Sequence, residues 1–358
     1  MSWLNDDEDE GDYAHYDESA AKVRPNPKGN KPRSKNRPEH ADAVSGRVFS
    51  VDRGRYGVWV AENTPEERQI VAAKARELAK APLDRTQDGK VSVVTGDRVD
   101  LVGDTSGDEG SLARIVRIQP RETLLRRSAD DTDAVERIIV ANADQMLIVV
   151  AAKDPEPRPR LVDRYLVAAF DAGITPILCI TKTDLADPAA FLANFAGLDL
   201  QVFESRSDAF PLDQIRSALE GHTTVAVGHS GVGKSTLVNA LVPEANRATG
   251  RVNDVTGRGR HTSSSTVSYK IGSGWIVDTP GVRSFGLGHV DPANILRSFT
   301  DLALLAENCP RGCTHLPDAP DCAIVEAVGR GDLGDTGRLR LDSFQRLIST
   351  LGSTSSVT

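Results

Sequence analysis

Gly228-His229-Ser230-Gly231-Val232-Gly233-Lys234-Ser235 fits the phosphate-binding loop pattern G-x-x-x-x-G-K-[ST]. Residues 224–228 before it read as a buried strand, and 233–241 after it open a helix. That context gives each residue type a task. The glycines let backbone N–H groups face a polyphosphate, and the helix presents the positive end of its dipole. Lys234 has the reach for the β- and γ-phosphates, and the Ser235 hydroxyl is a hard oxygen ligand for Mg²⁺. His229, Ser230, Val232 and Thr236 complete the stretch expected to contact nucleotide. A strand–loop–helix of this kind belongs in an α/β domain.

Two further motifs lie on either side. Asp278-Thr279-Pro280-Gly281 ends a short apolar strand, where Asp278 would hold magnesium and the Gly281 N–H would meet the γ-phosphate. Thr181-Lys182-Thr183-Asp184 ends the apolar run 176–180. The Asp184 carboxylate can accept two hydrogen bonds from guanine N1–H and its exocyclic amine; adenine offers neither. The usual first residue of this motif is Asn. Thr181 keeps a hydroxyl but lacks the second arm of an amide. Between the loop and Asp278, residues 246–266 are rich in Arg, Gly, Ser and Thr and read as switch I, with Thr262 or Ser263 as the magnesium ligand. Base specificity precedes the phosphate loop, the reverse of the order in a Ras-like GTPase. The expectation is a circularly permuted P-loop GTPase domain over 122–290.

Outward from that domain the texture changes twice. Residues 43–121 are expected to form a small oligonucleotide-binding (OB) barrel from strands at 44–49, 56–61, 91–94, 97–102 and 113–118. An alanine-rich helical insertion is expected over 64–82. Tyr56 and Trp59 would pack in the barrel core or stack on bases. Residues 291–358 read as a helical domain broken by a loop containing Cys309, Cys313, His315 and Cys322. Three thiolates and one imidazole form a closed tetrahedral set for a single structural Zn²⁺, with no position left for catalysis. Cys179, inside an apolar strand, reads as core.

Composition excludes little beyond these classes. The 39% hydrophobic and 26% charged residues are ordinary for a globular protein. No apolar run approaches membrane-spanning length and no secretory signal is visible, so a cytoplasmic protein without membrane contact is expected, and a monomer. The net charge of −8 sits in the first 18 residues, which carry Asp6, Asp7, Glu8, Asp9, Glu10, Asp12, Asp17 and Glu18 and no Lys or Arg; the rest balances at 43 basic against 43 acidic. Residues 1–42 read as a disordered tail. Its basic half, Lys22 to Arg37, is either solvated or a phosphate-contacting arm.

The permuted order, the N-terminal barrel and the Cys₃His segment together resemble the ribosome small subunit-dependent GTPase A family (RsgA). The residues that carry the likeness are 228–235, Arg260-His261-Thr262, and Asp278-Thr279-Pro280-Gly281-Val282-Arg283. The resemblance covers roughly 43–350. It implies GTP hydrolysis to GDP stimulated by the small ribosomal subunit, contact with that subunit and its rRNA, and a late role in its maturation. It also implies that His261 helps position or activate water, since Val282 stands where Ras-like enzymes carry a water-orienting Gln; a structural or RNA-contacting His261 is the alternative. The family usually spaces its zinc ligands C-x₄-C-x-H-x₅-C, whereas this chain has C-x₃-C-x-H-x₆-C. Two other readings compete: an ATPase or kinase on the same phosphate loop, which Asp184 opposes, and a GTP-dependent RNA-binding protein with little turnover, which Lys234, Ser235 and Asp278 oppose.

Overall fold

In the computed structural model the described residues are 40–76, 78, 92–128, 136–243, 266–279, 285 and 287–352. The expected tail at 1–42 therefore lies almost wholly outside them, as do the switch residues 246–265 and 280–284.

Strands β1 (Val44–Asp52), β2 (Arg55–Val60), β3 (Arg68–Lys74), β4 (Arg98–Gly103) and β5 (Ala113–Ile118) pair in the order β1-β2-β3-β5-β4, and β4 pairs back onto β1. This closes a small barrel without a free edge. Alternate residues turn inward, so Val48, Val58, Val60, Ile70, Val99, Leu101 and Ile115 form its core. The helical reading of 64–82 is overturned at its centre. Ile70 and Ala72 are buried while Val71 is 47% exposed, the period-2 pattern of a strand, so the alanines at 72 and 73 belong to β3. The expected strand at 91–94 is not one: residues 92–94 form no ladder, and Thr95 makes only an isolated bridge to Val140. Tyr56 is 4% exposed and belongs to the core, and Trp59 packs on Phe49 and Trp275.

A hairpin of β6 (Leu124–Ser128) and β7 (Glu136–Ala141) leads to the central sheet. There β8 (Gln145–Ala151), α1 (Pro159–Asp171), β9 (Thr175–Thr181), α2 (Ala189–Leu192), β10 (Gln201–Glu204), α3 (Leu212–Leu219), β11 (Thr223–Val227), α4 (Lys234–Leu241), β12 (Val267–Ile271) and β13 (Gly274–Asp278) follow in turn. The strand order is β10-β9-β8-β11-β13-β12, parallel except for β12. Every residue of β8 and β11 is buried, as a parallel sheet covered on both faces requires. Met146, Ile148 and Val150 face α1; Leu147, Val149 and Ala151 face α3 and α4.

The chain ends in α5 (Pro292–Arg297), α6 (Thr300–Ala306), α7 (Ala323–Arg330) and α8 (Gly334–Gly352). Phe299, Leu302, Phe344 and Leu347 share one core with Tyr165 and Leu166 of α1. The Cys/His loop lies between α6 and α7, inside this helical layer. Among the described residues no helix is long and apolar enough to cross a membrane.

Candidate nucleotide site and metal centre

β11 delivers Gly228 so close to β8 that a Cβ would lie 2.5 Å from the Val149 carbonyl. Gly231 (φ 84°) and Gly233 (φ 91°) hold left-handed conformations open to glycine. Gly233 caps α4 without any side-chain hydrogen bond, which leaves the first-turn N–H groups free for an anion. Ser230, Ser235 and Thr236 are exposed at this end, whereas Val232 is buried beneath it. His229 is half-buried and lines a shallow cleft with Val232, Pro155, Arg158, Leu161 and Tyr165.

β13 brings Asp278 beside the loop, where Lys234 Nζ donates to its Oδ1. Thr279, 1% exposed, is held by a hydroxyl bond to the Ala226 carbonyl at 2.8 Å. The phosphate-loop lysine and the acid of the second motif thus meet although they stand 44 positions apart in the chain.

From the other side, the Thr181-Lys182 pair grips the loop by its backbone. Thr181 Oγ1 donates to the Val232 carbonyl at 2.6 Å, and Lys182 Nζ donates to the Gly231 carbonyl at 2.9 Å and to the Asp154 carbonyl. Two successive carbonyls of the loop are thereby held by side chains from the end of β9. The Asp184 carboxylate is exposed, and the Ser207 N–H at 2.6 Å holds it below the usual carboxylate range, so it is a permanent acceptor at neutral pH. Residues 205–207 were not singled out in the sequence. Their signal is faint: a polar turn after a four-residue strand. The structure brings them to Asp184 by pairing β10 with β9, and the Ser205 carbonyl also accepts from the Thr183 N–H at 3.1 Å. Of the residues expected at this site, His261, Thr262, Ser263 and Gly281 lie outside the described ones.

Cys309, Cys313, His315 and Cys322 offer ligand atoms that all lie within 4.8 Å of one another. Cys309 Sγ is 3.6 Å from His315 Nδ1 and 3.9 Å from Cys322 Sγ, and Cys322 Sγ is 3.6 Å from the same nitrogen. A tetrahedron with zinc's usual bond lengths has S···S edges of about 3.8 Å and S···N edges of about 3.6 Å. The donor set fits that ion. Burial lowers the His315 pKa and keeps the ring neutral, while burial is the main cause raising the Cys322 thiol to about 11. A dication would therefore displace protons from the thiols on binding. The one-residue shift of Cys313 is taken up by a turn in which its N–H bonds the Pro310 carbonyl at 3.1 Å, with Gly312 at φ 79°. Cys179 is fully buried, which raises its thiol to about 12 and leaves it an inert core residue.

Residues 118–288 match the model of the RsgA GTPase family. The protein described as small ribosomal subunit biogenesis GTPase RsgA from Pseudomonas aeruginosa (strain UCBPP-PA14) is 36% identical over 276 residues, covering 74% of this chain and 77% of that one. The chain belongs to the RsgA GTPase family. Its counterpart of the same description from Pseudomonas syringae pv. syringae (strain B728a) is 38% identical over 269 residues, 73% of this chain and 75% of that one. Among solved structures, YjeQ from Thermotoga maritima superposes with a TM-score of 0.62 at 23% identity, covering 88% of this chain and all of that one. YloQ, described as a circularly permuted GTPase, gives 0.61 at 24%, covering 89% and 98%. The permuted architecture with an OB-type barrel in front and a helical Cys₃His segment behind is thus that of a known fold.

Proposed function

We propose that this GTPase binds the small ribosomal subunit and its rRNA, acts in its biogenesis, and is stimulated in GTP turnover by that subunit. One observation carries the reading of the site: two stretches distant in sequence, 181–182 and Asp278, converge on one loop, where Lys234 meets Asp278, Thr181 meets Val232 and Lys182 meets Gly231. The names of the relatives supply the ribosomal part.

In this reading Asp184 selects guanine, and Gly228 to Thr236 hold the phosphates. Lys234 neutralises charge that grows on the transferred phosphoryl oxygens, while Ser235 and Asp278 attend Mg²⁺. Thr262 or Ser263 would complete the metal shell, Gly281 would bond the γ-phosphate, and His261 would orient the attacking water. Cys309, Cys313, His315 and Cys322 would hold one structural Zn²⁺, which supplies folding energy to the loop and no chemistry to the reaction. The working division of the chain is a tail at 1–42, a barrel at 43–121 that meets RNA, the GTPase domain at 122–290 and the zinc-binding helices at 291–358, in a cytoplasmic protein.

The test is GTP turnover measured with and without purified small subunits, with ATP as the control nucleotide. Stimulation of GTP turnover by the subunit, and none of ATP, is the expected result. Tight GTP binding with no turnover in either condition would instead make the nucleotide a structural or switching ligand.

A further inference from the structure

The outer edge of β12 is taken up by the barrel. Ser50 on β1 is the register partner of Val267, Val267 lies opposite Asp278, and Asp278 lies opposite Ala226 of β11. One lateral row of backbone therefore runs from the barrel to the carboxylate that meets Lys234. Beside that row Thr95, 1% exposed, donates its hydroxyl to the Thr266 carbonyl at 3.1 Å. Thr266 is the residue that leads directly into β12.

Thr95 is itself fixed from two directions. Its carbonyl accepts from the Ala141 N–H of β7 at 3.0 Å, and the next residue, Gly96, donates to Val48 of the barrel at 2.8 Å. Gly96 has φ +90°, and a Cβ there would lie 2.0 Å from the Ala141 carbonyl, so only glycine admits the linker hairpin this close. The far end of β12 is held as well. Lys270 pairs with Glu67 of the barrel and lies 5.9 Å from the Trp59 ring, which meets Trp275 edge-on at 6.0 Å. At Thr95 a buried hydroxyl is committed to one main-chain carbonyl, a constraint on position.

We propose that Thr95 is a positioning residue for GTP hydrolysis. Its hydroxyl fixes the Thr266–Val267 end of β12, and through the register it sets where Asp278 stands beside the phosphate loop. Displacement of the barrel by a bound partner then reaches the hydrolytic site through this bond. The proposal rests on the reading of Asp278 as the magnesium-side acid.

The experiment uses the full chain as Thr95→Val, which keeps volume and removes the hydroxyl, and Thr95→Ser, which restores it. Steady-state kcat and KM for GTP are measured together with affinity for a fluorescent GDP analogue and the melting temperature. Thr95→Val is expected to lower kcat about fivefold with KM and GDP affinity unchanged, and Thr95→Ser to turn over at the parent rate. Parent kcat in Thr95→Val overturns the proposal. So does a joint fall of kcat, GDP affinity and melting temperature in both variants, which marks Thr95 as structural only. Asp278→Asn, run in parallel, separates the two readings. If it abolishes turnover while Thr95→Val changes nothing, the brace alone is wrong. If it turns over normally, the assignment of the site is wrong and the brace falls with it.

Discussion

At the level of single residues, the neighbours Thr181 and Asp184 point to different tasks, one bonded to the loop and the other open to solvent. Asp184 faces solvent with its charge fixed by the Ser207 N–H, while Thr181 is buried and never reaches that edge. Asp184→Asn reverses hydrogen-bond polarity there, so GTP affinity should fall about a hundredfold and xanthosine triphosphate should become the preferred ligand. Calorimetry with the two nucleotides checks it, and undiminished GTP affinity would remove Asp184 from the site. Thr181→Val leaves the Val232 carbonyl without its 2.6 Å partner in a buried setting. It should weaken GTP and GDP alike by about tenfold without changing the preference for GTP over ATP. Titration of the fluorescent diphosphate reports the loss; a change in base preference would contradict the assignment. The four motif residues 181–184 were legible in the sequence as one unit. Their split into side chains that brace the loop and a carboxylate left facing solvent was not, because it depends on which strand end each side chain leaves.

Elements decide how the helical layers hold together. α1 carries Asp163, 2% exposed, whose Oδ1 accepts from Arg346 Nε of α8 at 3.2 Å. Arg346 also reaches the Asn194 carbonyl and stacks over Phe195 at 5.3 Å. Burial raises the Asp163 carboxyl above its usual range even with the guanidinium opposing it. A carboxyl raised in the folded state costs stability as pH climbs from the unfolded to the folded pKa, because the unfolded chain gives up its proton first. Arg346→Met removes the counter-charge and raises the folded pKa further. It should destabilise the protein by about 3 kcal/mol at pH 8 and clearly less at pH 5. Urea unfolding at the two pH values tests the sign; equal losses would mean that the pair contributes only packing. β3 likewise owes its form to the strands beside it. Alanine content argued for a helix over 64–82, but barrel closure needs a strand between β2 and β5, and Ile70 and Ala72 supply its inward face.

Across the whole molecule, the Cys/His cluster is tied into the helical layer around it. Gln345 of α8 donates to the His315 carbonyl at 2.8 Å, and the His315 ring lies 6.2 Å from Phe344, which shares its core with α1. A loop containing Pro310, Gly312, Pro317 and Pro320 has little apolar burial of its own, so metal binding is expected to supply about 10 kcal/mol of its order. In Cys309→Ser/Cys313→Ser, zinc content should fall to zero and co-sedimentation with small subunits should weaken. GTP affinity should persist, because the proposed nucleotide site draws on the loops at the ends of β9, β11 and β13 and on no residue of the Cys/His loop. One zinc per chain in that variant, or undiminished co-sedimentation after its loss, would defeat the prediction.

The sequence by itself carried the chemical reading: a loop that would meet phosphate, one carboxylate that would read guanine, four residues that could hold a metal, and the permuted order of a GTPase of this family. These signals are local, because a glycine turn, a strand end or a ligand spacing is set within a few residues. Only the tertiary structure decided the third barrel strand, the Thr181 bond to the phosphate loop and the place of residues 205–207 beside Asp184. It alone joined β12 to β1 and merged the C-terminal helices with the core of α1. Each of those is a pairing between segments far apart in the chain. Such a pairing is fixed by closure, register and shared burial, and none of these leaves a mark in any short window of sequence.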